Sequence, residues 1–186
     1  SPALQNPKSL KIGQNIKFDI LVVRKYGIRI AGPLFDTMIA HYLLNPELRH
    51  GMDYLAETYL KYKTVRIEEL IGPRERKQLT MRDVPVVQVA EYAAEDADIT
   101  LKLKNYFTPC LEKEGLESLF YDIEMPLIYV LAEMEYTGVT LDTVALKQSS
   151  EELTTALKKL EKEIYELAGM KFNINSARQV GEVLFD

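Results

Sequence analysis

The sequence predicts a mostly helical protein with few strands, and three observations carry that reading. Apolar residues recur three and four apart through several long stretches, which is the period of a helix face. The two runs that suit strands are short, 9–14 and 28–34. With 186 residues, 47% of them hydrophobic, the chain can bury roughly 70% of its unfolded surface and needs no disulfide or metal to hold it folded. That length fits one domain, or a domain joined to part of another.

The elements follow in order. The run 9–14 alternates polar and apolar side chains and predicts a short strand, with a turn at Gly13. From Asn15 the apolar positions take a helical period, and the helix ends near Tyr26 and Gly27, where glycine supplies a left-handed cap. The β-branched run 28–34 predicts a second strand. Asp36 caps a helix reaching Leu44, because its carboxylate accepts the free amide hydrogens of the first turn, and Asn45-Pro46 stops it. Asp53 opens a helix over 53–61, and 71–77 is a polar, charged loop in which Arg74, Arg76 and Lys77 are solvated.

A long helix begins at Asp83, tolerates Pro85 in its first turn, packs closely through Ala90, Ala93, Ala94 and Ala97, and is ended or kinked by Pro109. Gly115 and Gly138 bracket a helix over 116–136, and Val139-Thr140-Leu141 is an extended link. Within 144–168, Leu153, Leu157, Leu160, Ile164 and Leu167 are spaced alternately four and three, a coiled-coil-like seam. At 1.5 Å per residue that helix reaches roughly 37 Å, long enough to project or to pack on a partner element. Asn173-Ile174-Asn175-Ser176 offers an N-cap for a last helix over 177–185.

Composition narrows the function classes. Against 28 Asp and Glu there are 23 Lys and Arg, a net charge of -5, which excludes a strongly basic nucleic-acid coat but leaves room for a local basic groove. The single cysteine, Cys110, excludes disulfide frameworks and thiolate zinc sites and fits a reducing compartment, with the cytoplasm as default. No apolar run reaches the roughly 20 residues of a membrane span, and Ser1-Pro2-Ala3-Leu4-Gln5 lacks a signal-peptide pattern. The start without Met, and the end at Leu184-Phe185-Asp186 inside an apolar pattern, lead us to expect that both edges are cut from a longer chain.

The densest polar cluster is Glu91-Tyr92-Ala93-Ala94-Glu95-Asp96-Ala97-Asp98 on the long helix. Tyr92 and Asp96 are four apart and so share a face, where a carboxylate can bind Mg2+ or Mn2+ and a phenol can hold a water. On spacing alone a solvated acidic helix face is the preferred reading. In Gly13-Gln14-Asn15-Ile16-Lys17-Phe18-Asp19, Asn15 alone reads as a helix cap and Asp19 as a first-turn acid favoured by the helix dipole. His41 reads as a partly buried structural histidine, His50 as an exposed loop residue, and Cys110 as buried and inert.

At these two clusters the chain resembles the bacterial DNA polymerase I family (family A). Residues 13–19 resemble its second exonuclease motif, and Tyr92 to Asp98 resemble the third, Tyr-x-x-x-Asp. Phe35-Asp36-Thr37-Met38 and Arg49-His50-Gly51-Met52-Asp53-Tyr54-Leu55-Ala56 look like the connecting segments. Ile123-Glu124-Met125-Pro126-Leu127 and Phe172 to Val180 look like the start of the polymerase domain.

The resemblance implies an α/β fold of the ribonuclease H-like 3'-5' exonuclease type with a truncated sheet, mostly helical here. Residues 1–113 would be a partial exonuclease domain and 114–186 the start of the polymerase domain, with its first thumb helices. It implies a two-metal centre using Mg2+ or Mn2+, with Asp96 and Asp19 as metal ligands and Tyr92 orienting the attacking water. Gln14, Asn15, Lys17 and Arg49 fall where the family contacts a single-stranded 3' end, with duplex DNA at the thumb and no membrane partner. Ile67 stands where some members place an aromatic side chain, so base stacking there is not expected to carry over.

The family's first motif, an Asp-x-Glu pair on the first strand of the sheet, is expected upstream of Ser1. The isolated fragment is therefore expected to bind Mg2+ weakly and to be inactive, although the parent enzyme proofreads during DNA replication and repair in the bacterial cytoplasm, associated with the nucleoid. The rival reading is a non-catalytic helical interaction module, in which the seam pairs with a partner. Asp19 and Asp96 carboxylates within about 8 Å of each other in a shared cleft would favour the nuclease, and distant ones would sink it. A sheet edge stripped of its first strands makes self-association a further expectation.

Overall fold

A computed structural model describes residues 2–73 and 78–185. Arg74, Arg76 and Lys77, read above as a solvated loop, lie outside the described residues. The chain forms two compact units, Ser1–Gly138 and Val139–Asp186. The first contains α1 (Pro2–Gln5), β1 (Lys11–Gly13), α2 (Ile16–Arg24), β2 (Leu34–Asp36), α3 (Thr37–Leu44) and α4 (Met52–Leu55), which continues into a π-helical turn, Ala56–Leu60. It goes on with α5 (Ile67–Ile71), α6 (Val86–Lys113) and α7 (Met125–Thr137), the last entered through a π-helical turn, Leu119–Glu124. The second contains α8 (Thr143–Ala168) and α9 (Ala177–Phe185).

The strands pair in parallel, with Lys11 opposite Leu34, Ile12 opposite Phe35 and Gly13 opposite Asp36. The second strand therefore lies later than the β-branched run 28–34 suggests. Pairing falls where both faces can be covered: Leu34 and Phe35 are buried, whereas Ile28 and Ile30 turn aside to line a groove with Tyr129 and Ala132 of α7. Lys11 carries a charge into this region, and its ammonium donates to the carbonyls of Asn6, Ser9 and Ala31.

α2 packs on α7 and α3 on α6, enclosing Phe35, Leu55, Ile99, Leu103, Phe107 and Phe120. The Phe35 and Phe120 rings meet at 4.8 Å, and each fully buried aromatic contributes about 1.5–3 kcal/mol. The same core explains why Pro109 does not end α6, which continues to Lys113. Phe107 and Leu111 are both 1% exposed, and their burial on either side of Pro109 offsets the hydrogen bond that proline removes. α6 begins at Val86 with Pro85 as its N-cap, and α4 begins after Gly51 rather than at Asp53. Cys110 is half-buried, with its Sγ donating to the Tyr106 carbonyl.

In the second unit Asp142 caps α8 by accepting the Ala145 amide hydrogen, and Gly169, at φ 68°, ends it in the left-handed region. All five seam residues, Leu153, Leu157, Leu160, Ile164 and Leu167, are exposed. Ile164 and Leu167 line a groove with Phe172, Val180 and Leu184. Among the described residues no helix is long and apolar enough to cross a membrane.

Candidate functional site

The site begins where β1 meets α2. A side chain on Gly13 would stand 2.8 Å from Ile16 Cβ, so glycine lets the helix start tight against the strand. Asn15 occupies the N-cap position with φ 59° and ψ 49°, but its side chain makes no capping bond. Asp36 does that work from across the sheet. Its Oδ1 accepts the Asn15 and Met38 amide hydrogens at 3.1 and 2.9 Å, and Oδ2 accepts that of Ile16 at 2.7 Å. One carboxylate, 1% exposed, thus holds the N-termini of both α2 and α3 and fixes the first turn that carries Asp19.

Asp19 and Asp96 line the same cleft of roughly 520 Å³, Asp19 with Gly13 and Gln14 from the β1–α2 side and Asp96 with Ala97 and Thr100 from α6. Burial raises both carboxyls above the ordinary aspartate value. The charge of Asp36 adds to the effect at Asp19; at Asp96 the Tyr92 hydrogen bond opposes it while Glu95 and Asp53 reinforce it. Tyr92 lies one turn before Asp96, and burial first, then the Asp96 charge, push its phenol up to about 12. It is a neutral hydrogen-bond donor at physiological pH.

Asp96 Oδ1 is buried and, among the described residues, has no hydrogen-bond partner. Such an atom normally carries a cost that a partner relieves, and a hard oxygen in a cleft that Asp19 also lines suits Mg2+ or Mn2+. Among the described residues, no three or more His, Cys, Asp or Glu side chains gather where they could hold a metal. Asp19 and Asp96 fit part of a ligand set.

The other residues expected at the site are placed as follows. Gln14 lines the cleft, but its amide is engaged at both ends, with Nε2 donating to the His50 carbonyl at 2.7 Å and Oε1 accepting from the Thr37 hydroxyl. Lys17 is ion-paired to Glu135 of α7. Arg49 is exposed on the loop before α4, and Asn15 is exposed at the start of α2; neither lines the cleft. Ile67, 39% exposed, is the first residue of α5.

Two contributors escaped the sequence reading. The double role of Asp36 rests on contacts about twenty residues away. Glu95, read as part of a solvated face, accepts the Tyr62 hydroxyl at 2.7 Å and the Val65 amide hydrogen at 2.9 Å, tying the segment before α5 to α6. No local pattern signals either. His41 is structural: it is fully buried, with its ring nitrogens 2.7 Å from His50 Nδ1 and 2.8 Å from the Tyr59 hydroxyl. His50 is half-buried against it rather than an open loop residue.

Comparison with known proteins adds a family to this geometry. A family model described as 3'-5' exonuclease matches residues 1–112. The DNA polymerase I of Pseudomonas aeruginosa is 42% identical over 189 residues, covering 100% of this chain and 21% of that protein. The DNA polymerase I of Borreliella burgdorferi is 40% identical, covering 97% of this chain and 19% of its own. The chain therefore spans about a fifth of the length of these relatives. A solved structure described as the POL domain of Pol1 from M. smegmatis, in complex with DNA primer-template and dNTP, superposes with a TM-score of 0.82. It covers 100% of this chain and 29% of that one at 24% identity, a likeness of fold.

Proposed function

The chain belongs to the 3'-5' exonuclease family of DNA polymerase A, and on that premise we propose that it is part of a proofreading DNA polymerase, with the Asp19–Asp96 cleft as its share of the nuclease centre. The fold is of the ribonuclease H-like exonuclease type, mostly helical around a small parallel sheet. Residues 1–113 belong in this reading to the exonuclease domain and 114–186 to the start of the polymerase domain, including thumb helices. The parent acts on DNA in replication and repair, in the bacterial cytoplasm and nucleoid.

The observation that carries the proposal is the unpartnered Asp96 Oδ1 in a cleft shared with Asp19. Asp19 and Asp96 would hold Mg2+ or Mn2+, which when bound would lower the pKa of the attacking water and stabilise charge on the phosphoryl group. Tyr92, neutral because its phenol titrates at about 12, gives its hydrogen to Asp96 and offers its oxygen as the acceptor that orients that water. Water adds across the terminal phosphodiester, giving a nucleoside 5'-monophosphate and a strand shortened by one residue with a free 3' hydroxyl. Gln14 supports the cleft wall, and Asn15, Lys17 and Arg49 contact the incoming strand. With two carboxylates and no third ligand among the described residues, this chain alone binds the metal weakly and turns over hardly at all.

The exposed leucines of α8 are the observation that favours a helical interaction module instead. The test restores the sequence upstream of Ser1, with the parent's polymerase domain, and measures Mg2+-dependent removal of a mispaired 3' end. Loss of removal in Asp96→Ala with primer extension retained supports the nuclease; full removal in that variant refutes it.

A further inference from the structure

Next to the cleft, the segment Lys61-Tyr62-Lys63-Thr64-Val65-Arg66 holds three cations in six residues and no acid, in a chain whose net charge is -5. All three cationic residues are exposed, and Tyr62 between them is 45% exposed. Lys61 Nζ donates to the Thr58 carbonyl at 2.9 Å, and among the described residues the Lys63 ammonium and the Arg66 guanidinium have no ion-pair partner.

The segment is fastened to the acidic site at separate points. Glu95, the neighbour of Asp96 on α6, accepts from the Tyr62 hydroxyl and the Val65 amide. Thr64 Oγ1 donates at 2.9 Å to Asp53, whose charge is felt by both Asp96 and Tyr92. Just downstream, the charge of Glu68 on α5 also reaches Tyr92. The acids consume the inner face of the segment through Tyr62, Thr64 and Val65, and leave Lys63 and Arg66 for solvent.

This arrangement answers an electrostatic difficulty. A polyanion approaching Asp19, Asp96, Asp53 and Glu95 is repelled, and fixed cations beside the cleft offset that repulsion where the strand enters. We propose that segment 61–66 is a phosphate-backbone track, in which Lys63 and Arg66 bind consecutive phosphodiesters of a single-stranded nucleic acid whose end enters the Asp19–Asp96 cleft. Tyr62 gives the track an aromatic face, and single strands are held by such cation and ring combinations. The track rests on the nuclease reading of the cleft, and Glu95 is its positioning residue.

The test is fluorescence anisotropy of a labelled oligodeoxythymidine with the 186-residue chain, without metal, across a salt series. Lys63→Glu/Arg66→Glu is expected to weaken binding roughly ten-fold at low salt and to lower the slope of log K against log salt by about 1.4, two single-strand phosphate contacts. Lys63→Gln/Arg66→Gln is expected to lower the slope equally with a smaller loss of affinity, and both variants to melt like the parent chain. Unchanged affinity and slope in these variants overturn the track, as does a chain that binds no oligonucleotide. Asp19→Asn/Asp96→Asn, read by the gain in affinity on adding Mn2+, judges the cleft separately. If that gain is lost while the track variants bind normally, the track alone has failed; if the track variants weaken and Mn2+ never matters, the metal reading has failed.

Discussion

The Asp36 carboxylate accepts the Ile16 amide hydrogen at 2.7 Å, although Asp36 ends one strand and Ile16 opens the helix that follows the other. Because the same group holds Asn15 and Met38, it is the joint between the sheet and the helix carrying Asp19. Asp36→Ala is expected to destabilise the chain by about 2–4 kcal/mol by stranding buried amide donors. Asp36→Asn, which keeps one acceptor oxygen, is expected to cost less. Urea unfolding followed by circular dichroism separates the two, and equal midpoints for Asp36→Ala and the parent chain would contradict this role.

Lys11 places a buried ammonium on three backbone carbonyls, and among the described residues it has no ion-pair partner. Lys11→Met keeps the length of the side chain and removes the donors. A loss of about 1–3 kcal/mol is expected from the unsatisfied carbonyls. Guanidinium titration measures it, and hydrogen exchange should localise the loosening to 4–9 and 28–33.

The pH dependence has two opposing parts. Burial, with His50 beside it, lowers His41 to about 4 in the folded state, so its neutral form is the stable one. Below 6.5 the unfolded chain takes up the proton first, and stability falls as pH drops from 6.5 to about 4. Asp19, Asp36 and Asp96 are raised, so their charge costs stability above their folded values, and they return it as pH falls from there towards 3.8. On acidification from pH 7 to pH 5.5 the unfolding midpoint of the parent chain is expected to fall relative to that of His41→Phe, which lacks the histidine contribution.

Asp96 illustrates the conflict between stability and function. Its Oδ1 lacks a partner among the described residues, and Glu95 and Asp53 both oppose its charge. Asp96→Asn is expected to raise the stability of the metal-free chain by about 0.5–1 kcal/mol. Differential scanning calorimetry should show that gain without metal, and millimolar Mn2+ should raise the melting temperature of the parent chain but not of the variant.

The parts of this molecule that were legible in the sequence are those decided locally. The periods of α6, α8 and α9, the Asp36 cap on α3, the link over 139–141, and the shared face of Tyr92 and Asp96 all follow from residues within a few positions of one another. The second strand was misplaced because β-branched Ile28 and Ile30 suit a strand, yet α7 claims them and register with β1 selects Leu34–Asp36. α5 is five residues long and too short for a periodic signal. At Pro109 the local rule yields to the core on both sides of it. The cleft was legible only through resemblance, since Asp19 and Asp96 are 77 positions apart and no spacing rule brings them together.

The claim that Asp19 and Asp96 form one cation site is tested most directly by paramagnetic broadening in the 15N–1H spectrum of the chain titrated with Mn2+. Amides around Gly13 to Asp19 and around Asp96 to Thr100 are expected to broaden together at millimolar Mn2+, and either Asp19→Asn or Asp96→Asn to abolish broadening at both. Broadening confined to one of the two segments, or unchanged by those substitutions, would contradict it.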